Sequence, residues 1–91
     1  MKDTRKLGDL VSVGKAFLRD FEKLGIKSVE DLKNETADNL YERLCQITGQ
    51  RQDPCVHDTF RCVIEQAKNP NLPKEKCQWF YWSKVRKDEI G

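Results

Sequence analysis

Four cysteines and one histidine carry the most reactive side chains of this 91-residue chain. Cys55 and Cys62 lie seven residues apart on one predicted helix, and therefore on one face of it. Cys45 lies near the end of the preceding predicted helix, so an antiparallel helix pair would bring it close to Cys55 or to Cys62. His57 follows two residues after Cys55 and is predicted to be a surface residue in the first turn of the helix.

Three interpretations of the thiols stay open. Free thiols often act as small core residues, and these positions fall on or next to apolar stripes. A metal site would have enough ligands, but none of the spacings matches the short Cys-x-x-Cys pattern of ordinary zinc sites. A redox or disulfide role is disfavoured if the protein lies in a reducing compartment. The candidates for a metal or thiol site are Cys45, Cys55, His57 and Cys62.

A cluster of aromatic residues, Trp79-Phe80-Tyr81-Trp82, lies near the end of the chain. If this segment is helical, Trp79 and Trp82 lie on one side and cover a small core. The alternative is a surface for a protein partner or for stacking on bases, in which Phe80 and Tyr81 are the exposed pair.

The stretch from Leu10 to Ala16 predicts a bend between two helices. Gly14 has no Cβ, so the backbone there can adopt a positive φ or allow another group to approach closely. A helix is predicted to begin at Lys15, and the first N–H groups and positive dipole end of a helix favour an anion. Lys15 would add a charge-assisted contact. Such a bend also joins any two packed helices, so a purely structural role stays open.

This stretch resembles a helix-hairpin-helix (SAM-like) motif, in which a Gly-apolar-Gly turn precedes a helix that ends in Gly-apolar. The turn reads Ser12-Val13-Gly14 and the helix end reads Gly25-Ile26, so Ser12 replaces the first glycine of the pattern. The resemblance implies that the turn amides grip a DNA backbone phosphate without reading bases. The residues expected at this contact are Ser12, Val13, Gly14, Lys15, Lys6 and Arg19.

Apolar residues recur at helical spacing along most of the chain, and no segment alternates as a strand does. These patterns predict a single compact all-α domain, residues 1–91, with five or six short helices. Order is expected over about 4–85, with a flexible tail at 86–91. The predicted helices cover residues 4–10, 15–24, 29–33, 37–48, 54–68 and 74–85.

The charge balance does not by itself demand nucleic acid, because 17 basic and 15 acidic residues leave a formal net charge of +2. The signs are mostly interspersed, as on ordinary solvated helix faces. Local basic excess occurs before and after the predicted bend, and again near the end of the chain. The two groups are Lys2, Arg5, Lys6, Lys15 and Arg19, and then Lys84, Arg86 and Lys87.

No apolar segment has the length of a transmembrane helix, and the first residues lack the apolar region of a signal peptide. We therefore expect a cytoplasmic protein without a membrane partner. No acid–base pair, phosphate-binding loop or catalytic triad stands out, so we expect neither an enzyme nor a cofactor.

Nearly the whole chain, from about Lys6 to Trp82, is similar to a small bacterial helix-hairpin-helix family known as the pathogenicity-locus family. The similar stretches are Leu24 to Leu32, Leu40 to Cys45 with Thr48-Gly49, Asp53 to Cys62, and the Trp-rich segment Trp79 to Trp82. Members are often labelled mitomycin resistance proteins. The resemblance implies a compact all-α domain and a DNA-repair accessory role that involves sequence-independent contact with DNA. The alternative is a protein-interaction module in which the bend is only structural.

Overall fold

Capping side chains set the starts of three helices. The Ser28 hydroxyl accepts from the Asp31 N–H, and the Thr36 hydroxyl accepts from the Asn39 N–H. Asp53 accepts from the Cys55 N–H, with Pro54 as the first helical residue. Each side chain satisfies a donor that the helix leaves unpaired. The predicted starts of these helices are confirmed.

Two glycines end helices in the left-handed conformation. Gly25 has φ 76° and Gly49 has φ 68°. After Gly25 the chain reverses so that the Ile26 N–H donates to the Phe21 carbonyl at 2.9 Å. This is the bonding of a Schellman motif, and Ile26 is buried beside it. The predicted helix ends at these two glycines are confirmed.

The computed structural model describes residues 5–90, with only the backbone at Ile90, and none of these residues is in a strand. The predicted all-α class is confirmed. Short 3₁₀ segments cover Leu7–Asp9 and Lys74–Cys77. The α-helices are α1 (Lys15–Leu24), α2 (Val29–Lys33), α3 (Ala37–Thr48), α4 (Pro54–Lys68) and α5 (Trp79–Ile90).

Helix α4 is the centre of the fold, because α2, α3 and α5 all pack against it. Phe60 of α4 is fully buried, with its ring 5.5 Å from Phe17 and 6.2 Å from Phe21 of α1. Ile47 of α3 is 50% exposed, although the other apolar residues of that helix repeat at helical spacing. The buried apolar residues are Leu10, Phe21, Leu24, Ile26, Val29, Leu32, Ala37, Leu40, Leu44, Phe60, Cys62, Val63, Ile64 and Ala67.

The prediction of a helix over residues 4–10 is wrong in its described part. Only Leu7–Asp9 forms a 3₁₀ segment, and Leu10 is extended at φ −74° and ψ 140°. Gly8 lowers the helix propensity of so short a segment, and Leu10 leaves the helical path to enter the core. Thr4, the predicted first residue, lies outside the described residues. The helix-hairpin-helix itself stays a prediction.

The end of the chain also differs from its prediction. A 3₁₀ segment and then α5 replace the single helix predicted over 74–85, and α5 continues through 86–90, where a flexible tail was expected. Side-chain contacts explain the extension. Arg86 pairs with the buried Asp58, and Glu89 pairs with Arg61 at 3.3 Å. Gly91 lies outside the described residues.

Candidate nucleic-acid interface

The bend before α1 is held by the side chain of Gln66, which lies in the last turn of α4 and is 5% exposed. Its Oε1 accepts from the Val11 N–H and its Nε2 donates to the Val11 carbonyl, both at 2.9 Å. This pairing satisfies a buried amide and fixes the backbone of the bend. Sequence analysis missed Gln66. The signal available was a polar residue next to Ala67, on the apolar face of a predicted helix.

Ser12 has a positive φ of 74°. Glycine is the residue that adopts such a conformation most readily, so Ser12 is at a position that favours glycine. Ser12 adds what glycine lacks: its Oγ donates to the Cys77 carbonyl at 3.2 Å and accepts from the Trp79 N–H at 3.3 Å. The bend and the start of α5 are therefore adjacent, although they are 67 residues apart in the chain.

Helix α1 begins without a side-chain cap. Gly14 is its N-cap residue and makes no capping bond, and no acidic residue lies in the first turn. The first backbone hydrogen bond of α1 runs from the Leu18 N–H to the Gly14 carbonyl at 3.1 Å. The amides of residues 15–17 come earlier in the helix and have no acceptor within it. Helices α2, α3 and α4 all have capping side chains. The start of α1 thus keeps unpaired donors and a positive dipole end.

The predicted phosphate contacts divide into two groups. Gly14, Lys15 and Arg19 lie exposed at the start of α1, and the two cations share a face because they are four residues apart. Neither cation has an ion-pair partner among residues 5–90. In contrast, Val13 packs against the core, and its N–H donates to the Leu10 carbonyl at 3.4 Å.

Lys6 lies exposed just before the 3₁₀ segment at Leu7–Asp9. Its backbone N–H donates to the Asp9 carboxylate at 2.9 Å, so an acidic group lies near this end of the surface. The strongest concentration of unpaired cations near the bend is therefore Lys15 with Arg19.

The four cysteines are free thiols, and Cys62 is the one that lies in the core, as the first of the three interpretations predicts. Cys62 is fully buried, and its Sγ donates to the Cys77 carbonyl at 2.9 Å and accepts from Gln66 Nε2 at 3.4 Å. Cys45, which an antiparallel helix pair was expected to bring near Cys62 or Cys55, accepts from the Gln52 N–H at 3.3 Å. The rotation of α4 directs Cys62 towards the 3₁₀ segment at Lys74–Cys77. Burial raises the pKa of Cys62 to about 11.

The remaining candidates lie apart from Cys62. His57 Nε2 lies 2.6 Å from the Asp38 carboxylate, and its side chain is half-buried. Burial, and then the Asp53 carboxylate, raise the pKa of Cys55. Within residues 5–90, no three potential metal ligands come together. A raised pKa is the opposite of what a reactive thiol needs.

The aromatic cluster divides differently from its prediction. Trp79, expected to cover the core, is 38% exposed, and Phe80 is 59% exposed. Tyr81, expected in the exposed pair, is half-buried, as is Trp82. Trp82 Nε1 donates to the Lys76 carbonyl at 2.8 Å, and the Arg61 guanidinium lies 5.2 Å from its ring. The exposed pair is therefore Trp79 with Phe80.

Along residues 5–90, no helix combines the length and the apolar character needed to cross a membrane.

Comparison with known proteins gives two matches. The model of the family described as Pathogenicity locus matches residues 1–88. The chain is also 36% identical, over 85 residues, to the Mitomycin resistance protein McrB of Streptomyces lavendulae. The aligned region covers 93% of this chain and 77% of that protein. No solved structure gives a significant match.

Proposed function

The chain belongs to the pathogenicity-locus family, and from this membership we propose that it is a DNA-binding protein with a mitomycin-resistance-like role. It contacts backbone phosphates at the start of α1, without reading sequence. The proposal is for a binding protein, and it assigns no role to Cys55 or Cys62, whose thiol pKa values are raised mainly by burial.

The observation that carries the proposal is the uncapped start of α1. In each of three other helices, a serine, threonine or aspartate side chain accepts from one amide of the first turn, whereas no side chain caps α1 at Gly14. A phosphate oxygen satisfies such amides and interacts favourably with the helix dipole. Lys15 and Arg19 add two cations without ion-pair partners among the described residues.

The experiment is a fluorescence-anisotropy titration of labelled duplex DNA at two salt concentrations. We expect salt-sensitive binding, in which the logarithm of the affinity falls by about 0.9 per logarithmic unit of salt for each phosphate neutralised. Lys15→Glu should weaken binding to all sequences and reduce this slope by about 1. The substitution spares the fold, because a glutamate in the first turn of a helix interacts favourably with the dipole.

The matched control is Lys27→Glu, which makes the same charge change at an exposed lysine beyond the other end of α1. The ten residues of α1 span about 15 Å, so this lysine lies far from the proposed contact. We expect Lys27→Glu to bind as the wild type does. If the protein binds no duplex at low salt, or if both variants weaken binding equally, the proposed contact is wrong.

A further inference from the structure

We propose that Trp79 and Phe80 form a stacking surface for unpaired bases, so that the preferred ligand is single-stranded DNA, or duplex DNA with unpaired bases, rather than plain duplex. This inference rests on the proposed function for the position of the phosphate contact at α1. It adds a second surface, on α5, which lies outside the stretch that resembles a helix-hairpin-helix motif.

The two surfaces are neighbours because of Ser12. Its Oγ accepts from the Trp79 N–H at 3.3 Å, so the first residue of α5 lies one hydrogen bond from the bend. Val11, next to Ser12, is 43% exposed. The start of α5, which carries the aromatic pair, is therefore next to the bend that precedes α1.

Among residues 5–90, the aromatic contact of Trp79 and Phe80 is with each other, and both rings remain exposed. They lie 6.2 Å apart at 76°, in an edge-to-face arrangement, and are 38% and 59% exposed. The other half of the cluster is used internally, since Trp82 donates to Lys76 and packs under Arg61. Exposed aromatic faces are the groups on which proteins stack single-stranded bases, independently of sequence.

Charge on α5 favours a phosphate backbone as the partner. Phe80, Lys84 and Lys87 are exposed and share one face, because they are spaced by four and three residues, and the exposed Asp88 lies at the edge of this face. Neither lysine has an ion-pair partner among residues 5–90, whereas Glu89 is paired with Arg61. Proteins that bind single strands combine exposed aromatic rings, which stack on bases, with nearby cations, which contact the phosphates.

The two exposed rings by themselves are too small for a standard protein interface. Two aromatic side chains bury at most about 500 Å² together, well below the roughly 800 Å² that each partner contributes to a standard protein interface. Stacking of one or two bases needs no more than the two rings that are exposed.

The experiment compares single-stranded DNA with a duplex of the same sequence, using the full chain and anisotropy. We expect Phe80→Ala to weaken single-strand binding by roughly tenfold and to leave duplex binding unchanged. The matched control is Ile47→Ala, which removes a similarly exposed apolar side chain, 50% exposed, from α3 and should change neither. Circular dichroism checks that each variant keeps its helical content.

Tryptophan fluorescence gives a second readout. Stacking on Trp79 quenches its emission, so single-stranded DNA should quench the wild type, and the quenching should be largely lost in Trp79→Phe. In that variant the half-buried Trp82 is the remaining tryptophan. Single-strand binding unchanged in Phe80→Ala, or quenching that survives in Trp79→Phe, would overturn the inference.

Lys15→Glu separates this inference from the proposed function. If Lys15→Glu has no effect while Phe80→Ala weakens single-strand binding, the contact at α1 is wrong and the stacking surface stands. If Lys15→Glu weakens binding and Phe80→Ala does not, the reverse holds. A polyglutamate peptide that displaces the oligonucleotide at equal charge concentration would assign the surface to an acidic protein segment, and this also overturns the inference.

Discussion

Ser12 shows how one residue combines backbone strain with a tertiary connection. Its φ of 74° costs a residue with a side chain about 1 kcal/mol relative to glycine. Its hydroxyl makes hydrogen bonds to Cys77 and Trp79 that glycine would not provide. The two effects oppose each other, and they can be measured separately.

Replacing Ser12 by alanine or glycine separates strain from hydrogen bonding. Both variants lose the hydroxyl, but only Ser12→Gly relieves the positive φ. We expect Ser12→Gly to be more stable than Ser12→Ala by about 1 kcal/mol in urea unfolding followed by circular dichroism. At Ser83, inside α5, the order should be reversed, because glycine is the poorer residue within a helix. Equal stability of the two Ser12 variants would mean that this residue is not left-handed in solution.

At the scale of elements, α5 is attached to α4 by two ion pairs of very different burial. Asp58 is fully buried and accepts from Arg86 Nε at 2.9 and 3.1 Å. Arg61 and Glu89 form the second pair at 3.3 Å, with Glu89 59% exposed. A buried charge that loses its partner is strongly destabilising, whereas an exposed pair contributes little.

We therefore expect Arg86→Met to lower the urea midpoint of unfolding clearly, since it leaves the Asp58 carboxylate buried without its cation. Glu89→Gln should change the free energy of unfolding by less than about 0.5 kcal/mol. Adding Asp58→Asn to Arg86→Met should recover part of the lost stability, because the unpaired charge is then removed. If Arg86→Met is as mild as Glu89→Gln, the buried pair does not hold α5 in place.

For the whole molecule, Cys62 marks the place where α4, the bend and the 3₁₀ segment before α5 meet. Its thiol is fully buried, donates a hydrogen bond to the Cys77 carbonyl and accepts one from Gln66 Nε2. Burial raises its pKa from the ordinary value of 9.0 to about 11. The unfolded chain therefore releases this proton at a lower pH than the folded protein does.

It follows that the folded state is destabilised as the pH rises from about 9 to about 11. In this range the folded protein binds more protons at Cys62 than the unfolded chain, so the free energy of unfolding falls with pH. We expect this residue to contribute up to about 2 kcal/mol to that fall. The measurement is urea unfolding across this range under reducing conditions, with Cys62→Ala as the control. A slope that is the same in both proteins would show that Cys62 does not titrate in this way.

The sequence by itself determined the ends of those helices that are capped by residues close to them in the chain. Ser28, Thr36, Asp53, Gly25 and Gly49 act on amides or carbonyls a few residues away, so their chemistry is visible in the sequence. The family resemblance was also available from the sequence, because it needs only the order of residues. The path of residues 7–10 and the extension of α5 depended on packing instead, since Leu10 enters the core and Arg86 and Glu89 pair with α4.

Tertiary structure alone decided what the bend contacts. Gln66 holds Val11 across 55 residues, and Ser12 reaches Trp79 across 67. Helical periodicity predicts that a helix has a buried face, but not how each helix is rotated against its neighbours. That rotation placed Cys62 beside Cys77 and exposed Trp79. Two candidate surfaces that are far apart in sequence are therefore neighbours in the folded protein, since contacts between distant residues follow from packing and leave no local pattern.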